Sequence, residues 1–267
     1  MNHIYSETLD NFLTYVYDKI HIRRYVSPDP LQMLYNYDDP QDVEVVALIS
    51  SSYAYGRVAQ ILNTLEKILT PMGKHPAEFL INSERKDLEI LFSGIKHRFT
   101  TTEETIEFLY ATGELLRKYN SMENILCSDK STTLRQKQKK LVDTILSCGS
   151  FNARTLLPDP GQTSAMKRLN LMFRWLVRKD DVDVGIWSCI KPSELEVPLD
   201  THLFRVTKIL GLTSNNQANH KTAIEITENL KKYDPEDPVK FDFSLTRFGI
   251  NPGFNYVDFM NELDRFQ

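Results

Sequence analysis

The sequence predicts an all-α protein, and three observations carry this prediction. Residues 58–69 place apolar side chains at the i, i+3, i+4, i+7 spacing of an amphipathic helix. The stretch TTEETIEFLYATGELL opens with a capping signal formed by Thr101 and Glu104 and then continues with apolar residues at helical spacing. Sustained period-two alternation, which is typical of strands, is absent from the sequence. We therefore expect about ten or more helices joined by short connections.

The less regular segments are also compatible with helices. The one strand-like run, VEVVALI, follows Asp39-Pro40, which is the pattern of a helix cap and a first helical residue. The polar run DKSTTLRQKQKK is compatible with a linker or with the first turns of a helix that ends at Leu146. Residues 165–176 show apolar side chains on one side of a helix. Residues 203–210 predict another helix, which Gly211 ends.

Length and composition are those of a globular protein. The chain has 267 residues, of which 41% are hydrophobic and 25% are charged. This is enough for one large core or for two smaller lobes. We expect a single two-lobed helical unit over residues 1–267, with one lobe near residues 45–170 and the other formed by residues 1–44 and 171–267.

Cysteine usage and hydropathy exclude several classes of protein. Cys127, Cys148 and Cys189 are odd in number and far apart, so the sequence implies neither a disulfide framework nor a CxxC metal site. We expect no metal and no cofactor. No apolar run approaches the length of a membrane span, and the N-terminal stretch carries charges within its apolar pattern and lacks a cleavage site. We expect a cytoplasmic protein with no membrane partner.

Basic residues are concentrated between residues 130 and 179. This block contains eleven lysines and arginines opposed only by Asp143 and Asp159, a formal charge of +9, while the rest of the chain carries −13. Such asymmetry is typical of a basic face that binds nucleic acid. The alternative is an ordinary solvated helical surface.

A proline- and glycine-containing turn lies within this basic block. In TLLPDPGQTSAMKRLNLMFRWLVR, the turn from Pro158 to Gly161 precedes a helix. A turn that opens a helix leaves N–H groups unpaired at the positive end of the helix dipole, and glycine lets phosphate oxygens approach the backbone. One interpretation is a phosphate site formed by Gly161, Gln162, Lys167 and Arg168. The other is a plain helix start after a proline-rich turn.

The stretch PLDTHLFRV, residues 198–206, predicts a helix that begins after Asp200. An aspartate at this position caps the helix by accepting from the next N–H groups. Those donors and the helix dipole also favour the ionised carboxylate. A fixed carboxylate of this kind can stabilise positive charge that develops at a sugar C1′ or orient an attacking water. Asp200 can therefore be both cap and catalyst, and His202 is interpreted as a helix-start side chain or a base.

The order LPxxGxxxA, LDTHLFRV and GL resembles the helix-hairpin-helix (HhH-GPD) base-excision DNA glycosylases, the superfamily of endonuclease III and 8-oxoguanine glycosylase. The resemblance covers roughly residues 45–250 and is specific in the hairpin and aspartate segments. It implies a two-lobed helical fold, binding of double-stranded DNA through the hairpin, and Asp200 as the catalytic carboxylate. The segments KRLNLMFRWLVR and AYGRV are most similar to a bacterial branch of the superfamily whose members have no assigned function.

The resemblance also directs attention to aromatic and basic residues near a base pocket. A DNA glycosylase extrudes the target base from the stack, and Tyr53, Tyr55 and Trp187 are candidates for stacking on it. The alternative for each is an ordinary core aromatic. Arg57, which follows Gly56, is a candidate phosphate contact.

The chain departs from the family pattern at three points. Thr163 stands where bifunctional members carry a nucleophilic lysine, and because threonine cannot form a Schiff base, Lys167 one turn further on is the candidate substitute. Pro160 removes a backbone donor from the hairpin. No cysteine follows Cys189, so the iron–sulfur cluster of some members is absent.

Three functions are compatible with these patterns. The first is a monofunctional DNA N-glycosylase that releases a damaged or mismatched base. The second is a non-catalytic nucleic-acid-binding module on the same fold. The third is an all-α protein unrelated to DNA.

Overall fold

A computed structural model describes residues 6–127, 132–149 and 153–266, and in these ranges the chain is all-α, as predicted. Apart from isolated bridges, the described residues form no strand. They form thirteen α-helices: α1 (Glu7–Ile20), α2 (Pro40–Ser52), α3 (Val58–Met72), α4 (Pro76–Asn82), α5 (Arg85–Leu91), α6 (Thr102–Tyr119), α7 (Met122–Leu126), α8 (Leu134–Cys148), α9 (Lys167–Val177), α10 (Thr201–Ile209), α11 (His220–Leu230), α12 (Asp242–Ile250) and α13 (Tyr256–Asp264). Three short 3-10 helices accompany them: Arg23–Tyr25, Pro30–Asn36 and Pro192–Glu194. Among the described residues, no helix is both long enough and apolar enough to cross a bilayer.

The predicted helix starts are confirmed where the caps were recognised. Asp39 caps α2 by accepting from the amides of Gln41 and Asp42, so VEVVALI is helical rather than a strand. The predicted helix over residues 58–69 is α3. Thr101 caps α6, and Glu104 completes a reciprocal capping box.

The polar run near residue 130 leads into a helix. Thr133 caps α8 by accepting from the amide of Gln136, and the helix then continues to Cys148, two residues beyond the predicted end at Leu146. Part of the run, residues 129–131, lies outside the described residues. Of the two interpretations of this segment, the structure confirms the helix from Leu134 onward.

The chain divides into two compact units, neither of which is continuous in sequence. The internal unit comprises Asp29–Gln162 and Ile186–Ile190, and therefore contains α2 to α8. The terminal unit comprises Met1–Pro28, Thr163–Gly185 and Lys191–Gln267, and contains α1 and α9 to α13. The chain passes from one unit to the other four times, and the residues of the predicted functional site are divided between them.

The internal unit is built around α2, which is buried along nearly its whole length. Burial on all sides is typical of a helix that lies within a core. The 3-10 helix Pro30–Asn36, α3 and α4 pack on α2, and α6 packs on α4, α5, α7 and α8. Glu44 is a buried carboxylate within this core, with 2% of its surface exposed.

The terminal unit packs α12 against α1, α10 and α13. The predicted apolar face of α9 is confirmed, since Leu169, Met172, Phe173 and Leu176 are all buried. α10 buries Leu203 and Val206, and Gly211 follows it with φ of 68° as the predicted terminating glycine. The packing of α10 against α12 fixes the position of the residues at the start of α10.

The sequence-based expectation that the cysteines form no disulfide is wrong. Cys127 and Cys189 are disulfide-bonded within the internal unit, with their Cα atoms 5.5 Å apart. Their separation of 62 residues hid the pair, because Cys189 belongs to the short segment Ile186–Ile190 that returns to the internal unit. Cys148 is the free cysteine of the described residues.

Candidate functional site

Asp200 is the N-cap of α10, as the sequence predicts. Its Oδ1 accepts hydrogen bonds from the amides of His202 (2.9 Å) and Leu203 (2.8 Å). Its Oδ2 lies 3.9 Å from Nζ of Lys167. The side chain is 16% exposed. One oxygen therefore stabilises the helix, while the other is beside an ammonium group.

A buried asparagine brings Lys167 and Asp200 together. Nδ2 of Asn170, on α9, donates to the carbonyl oxygens of Ala165 and Val197, at 3.2 Å each. Asn170 is 1% exposed, so these bonds satisfy a donor that burial would otherwise leave unpaired. The contact joins the start of α9 to the segment that leads into Asp200.

His202 makes a side-chain hydrogen bond to Tyr256, the first residue of α13. Its Nδ1 lies 2.8 Å from the phenolic oxygen of Tyr256. Burial raises the pKa of Tyr256; the charge of Asp200 adds to this rise, and that of Arg205 opposes it. The protonated phenol can donate to Nδ1 or accept from it; we assign it as the donor, which places the ring proton of His202 on Nε2.

Gly249 makes room for this pair. A β-carbon at this position of α12 would lie 2.3 Å from Nδ1 of His202 and 2.5 Å from the Tyr256 oxygen. No side chain can occupy that space without displacing one of the two groups. The guanidinium of Arg205 lies over the Tyr256 ring, 3.9 Å from its centroid, and this cation–π contact helps to hold the ring in place.

The turn at Gly161 differs from the expected phosphate site. The Gly161 amide donates to Oδ1 of Asp159 at 2.8 Å, and the Gln162 amide donates to the Asp159 carbonyl at 3.2 Å. α9 begins only at Lys167, so these amides do not lie at a helix N-terminus. The turn closes on itself because Asp159 supplies the acceptors that a phosphate would otherwise supply.

The residues proposed for the hairpin are also divided between the two units. Gly161 and Gln162 belong to the internal unit, and Thr163, Lys167 and Arg168 belong to the terminal unit. The Thr163 carbonyl accepts from the amide of His220 at 2.9 Å.

The candidate stacking residues are mostly closed off. Tyr53 is fully buried, and its hydroxyl is 2.8 Å from Oγ1 of Thr105. Trp187 is 4% exposed and donates from Nε1 to Oε1 of Glu44 at 2.7 Å. In this structure neither ring presents a face to a base, because both fill the core of the internal unit.

Tyr55 and Arg57 remain nearer the surface. The half-buried Tyr55 donates from its hydroxyl to the His97 carbonyl at 3.0 Å. Arg57 is exposed at the residue before α3.

The comparison with known families identifies the chain at the level of the family. A family described as "Protein of unknown function (DUF2400)" matches residues 29–251. The chain belongs to the DUF2400 family. No curated protein and no solved structure matches it.

In this DUF2400 protein two arginines of the basic block do not reach the surface. Arg174 and Arg178 are each 3% exposed and are paired with aspartates inside the terminal unit. Lys139 pairs with Asp143, and Lys130 lies outside the described residues. The block is also split between the units after residue 162. The sequence was compatible with a continuous basic face, because a count of charges does not show which arginines are buried.

A cluster of one histidine and two aspartates in the terminal unit has side chains that could bind a metal, but arginine already neutralises part of its negative charge. Ligand atoms of His21, Asp180 and Asp183 lie within 4.8 Å of one another. Nη2 of Arg178 is 2.8 Å from Asp180, and its Nη1 pairs with Asp183. Because Arg178 pairs with both carboxylates and Arg174 also pairs with Asp183, the cluster is an ion-pair network rather than a cation site.

Sequence reasoning missed several residues that shape the DUF2400 site. Tyr256 is 54 residues from His202, and no local pattern connects them. Asp159 was counted only as an opposing charge. The importance of Asn170 could have been inferred from the sequence. It is a polar residue close to the apolar positions Leu169 and Phe173 of an amphipathic helix.

Proposed function

We propose that this DUF2400 protein binds double-stranded DNA and hydrolyses the N-glycosidic bond of a damaged or mismatched base, with Asp200 as the essential carboxylate. The supporting observation is the geometry of Asp200. Its Oδ1 is held by two amides, while its Oδ2 is left for chemistry beside Lys167. The HhH-GPD resemblance of the sequence assigns the same residue.

The reaction needs one carboxylate and one water. As the C1′–N bond breaks, its electron pair leaves with the base, and positive charge develops at C1′ and the ring oxygen. Asp200 stabilises that charge, and its Oδ2 takes a proton from the water whose oxygen bonds to C1′. The departing base takes up a proton from solvent, and the proton on Oδ2 returns to solvent, so that the carboxylate is restored. The amide-bound Oδ1 keeps the carboxylate oriented throughout.

Lys167 and Arg168 are proposed to contact DNA phosphates near this carboxylate. They belong to the first turn of α9, and Lys167 is 35% exposed. With Thr163 at the position of the lyase lysine, Lys167 is also the amine nearest the proposed reaction centre. Borohydride trapping in the presence of a baseless site therefore distinguishes a lyase from a hydrolase, because only a Schiff base is trapped.

The test is a screen of the purified protein against duplexes that contain oxidised, alkylated, deaminated or mismatched bases. With the substrate found, Asp200→Asn is expected to lower base release at least about 100-fold. Its DNA affinity should change by less than about threefold, because asparagine also caps a helix and phosphate contacts are untouched.

Asp39→Asn is the matched control. Asp39 likewise caps a helix through two amides, but it lies in the internal unit. This variant should release the base at the wild-type rate. Wild-type activity in the Asp200 variant would remove the catalytic assignment.

The second candidate is a non-catalytic nucleic-acid-binding module. Two observations favour it: Asp159 occupies the Gly161 amide, and Tyr53 and Trp187 are buried. Salt-sensitive duplex binding without base release from any lesion would select this function. Absence of salt-sensitive binding would exclude both functions, because phosphate contacts weaken steeply as salt rises.

A further inference from the structure

The segment Ile186–Ile190 is anchored to the internal unit by several contacts besides the disulfide. Trp187 donates to Glu44, which itself accepts from the amides of Met122 (2.8 Å) and Glu123 (2.9 Å) at the start of α7. The Glu123 side chain then accepts in turn from the segment. These bonds hold the segment against α7 independently of the sulfur–sulfur bond.

Glu123 is the closest of these anchors to the cysteines. Its Oε1 accepts from the amide of Ser188 and, at 2.9 Å, from the amide of Cys189. Its own carbonyl accepts from the amide of Cys127 at 3.0 Å. The carboxylate is therefore held against the segment that carries Cys189, while the backbone of Glu123 lies one helical turn before Cys127.

Three side chains bring ligand atoms together here, and the two sulfur atoms among them can reach zinc-ligand separation only after the bond between them is broken. A carboxylate oxygen of Glu123 and the Sγ atoms of Cys127 and Cys189 are all within 4.8 Å of one another. In a tetrahedral zinc site, bonds to thiolate and carboxylate put neighbouring ligand atoms roughly 3.3–3.8 Å apart. Two thiolates favour Zn²⁺ over Mg²⁺ or Ca²⁺, which prefer an oxygen cage.

We propose that Cys127, Cys189 and Glu123 form a zinc site that exists only when the disulfide is reduced. A dithiol reductant supplies two electrons and two protons, breaks the sulfur–sulfur bond and becomes a disulfide itself. Zn²⁺ then displaces the two thiol protons and is held by two thiolates and one oxygen of Glu123, with water as the fourth ligand. The amide bonds to Oε1 orient the carboxylate for this role.

Burial and access agree with reversible chemistry at this position. Cys127 is exposed and Cys189 is half-buried, so a reductant and a metal ion can reach them. The supporting Glu44 is buried, and burial raises its pKa against the opposing hydrogen bonds from Met122, Trp187 and Glu123. The site therefore combines accessible cysteine ligands with a buried, hydrogen-bonded support around Glu44.

The test is a zinc titration of the full-length protein, reduced and metal-free, against a chromophoric chelator. We expect one Zn²⁺ per chain, and at least about a 100-fold weaker affinity in Cys127→Ser and Cys189→Ser. Glu123→Gln should weaken binding at least about tenfold. Protein oxidised before the titration should not compete with the chelator.

Cys148 supplies the internal control. It lies outside the site, and burial raises the pKa of its thiol. Cys148→Ser should bind Zn²⁺ as the wild type does, and in the wild type Zn²⁺ should protect Cys127 and Cys189, but not Cys148, from alkylation. The proposal is overturned if reduced protein binds no Zn²⁺, if the oxidised protein binds equally well, or if alkylation of the pair is unaffected by the metal.

Discussion

At the scale of single residues, the candidate site depends on which carboxylate oxygens are occupied by backbone hydrogen bonds. Asp200 uses one oxygen for the helix and keeps the other beside Lys167. Asp159 uses its carboxylate to close the turn at Gly161. The first arrangement could be predicted, because a cap acts within three residues of sequence. The second could not, because the Asx contact and a phosphate compete for the same amide and sequence alone does not rank them.

Tyr256→Phe tests the positioning of His202. The variant removes the phenolic donor but keeps the ring under Arg205. We expect the His202 proton to redistribute between its two nitrogens, and stability to fall by about 0.5–1.5 kcal/mol. Imidazole nitrogen chemical shifts measure the tautomer directly, without DNA. Gly249→Ala should give the same redistribution, because its β-carbon displaces the pair.

Tyr15→Phe is the control for this experiment. Its hydroxyl also makes side-chain hydrogen bonds in the terminal unit, donating to Glu262 and accepting from Lys19 at 2.9 Å each, but none to His202. It should leave the His202 signals in place. An unchanged His202 tautomer in Tyr256→Phe would contradict the assignment of the ring proton to Nε2.

At the scale of elements, α9 joins the candidate site to a buried ion-pair network. Its first turn carries Lys167, its last turn carries Arg174, and Arg178 is its C-cap residue. Arg174 pairs with Asp183 at 3.1 Å and with Asp242 at 2.8 Å. The amphipathic period of α9 was predictable from its apolar residues. The partners of its arginines were not, because they lie on other elements, up to 68 positions away.

Asp180 makes this network dependent on pH. Burial alone would raise the pKa of Asp180, but the hydrogen bond from His21 and the charge of Arg178 outweigh burial and hold it well below the ordinary value. Because the folded-state pKa is lowered, the group stabilises the fold above its unfolded value of about 3.9, and this contribution is lost as pH falls below it.

Asp180→Asn should therefore remove part of the acid sensitivity. At neutral pH we expect a loss of about 1–3 kcal/mol, because the variant loses one of the charged partners of Arg178. The difference from wild type should shrink as pH falls below about 4 in denaturant titrations. Asp143→Asn, which breaks an exposed pair with Lys139, should show little effect at any pH. A difference that is independent of pH would contradict the lowered pKa.

At the scale of the whole molecule, the helical class followed from the sequence, and the distribution of charge did not. Periodicity and caps act within a few residues, so α2, α3, α6 and α10 were all predictable. The eleven basic residues of the 130–179 block were compatible with one DNA-binding face or with an ordinary solvated surface. The fold instead divides them between two units and buries two arginines, because burial depends on partners from distant segments.

The salt dependence of DNA binding should report how many of these charges act. Lys167→Ala and Arg168→Ala should each reduce the slope of log affinity against log salt by about 1. Lys231→Ala, which removes an exposed residue paired with Glu228, should leave the slope unchanged. Equal slopes for all three variants would show that the first turn of α9 makes no phosphate contact.

The return of Ile186–Ile190 to the internal unit also sets an order of events during synthesis. A ribosome releases residue 162 well before residue 187, and at roughly 5–20 residues per second the interval lasts one to several seconds. Throughout it Glu44 lacks the indole that donates to it, and Cys127 lacks its partner. The core of the internal unit is therefore completed only after α9, a helix of the terminal unit, has been synthesised. A gene fragment ending at residue 162 would encode most of this unit but would lack Trp187, whose indole donates a hydrogen bond to the buried Glu44.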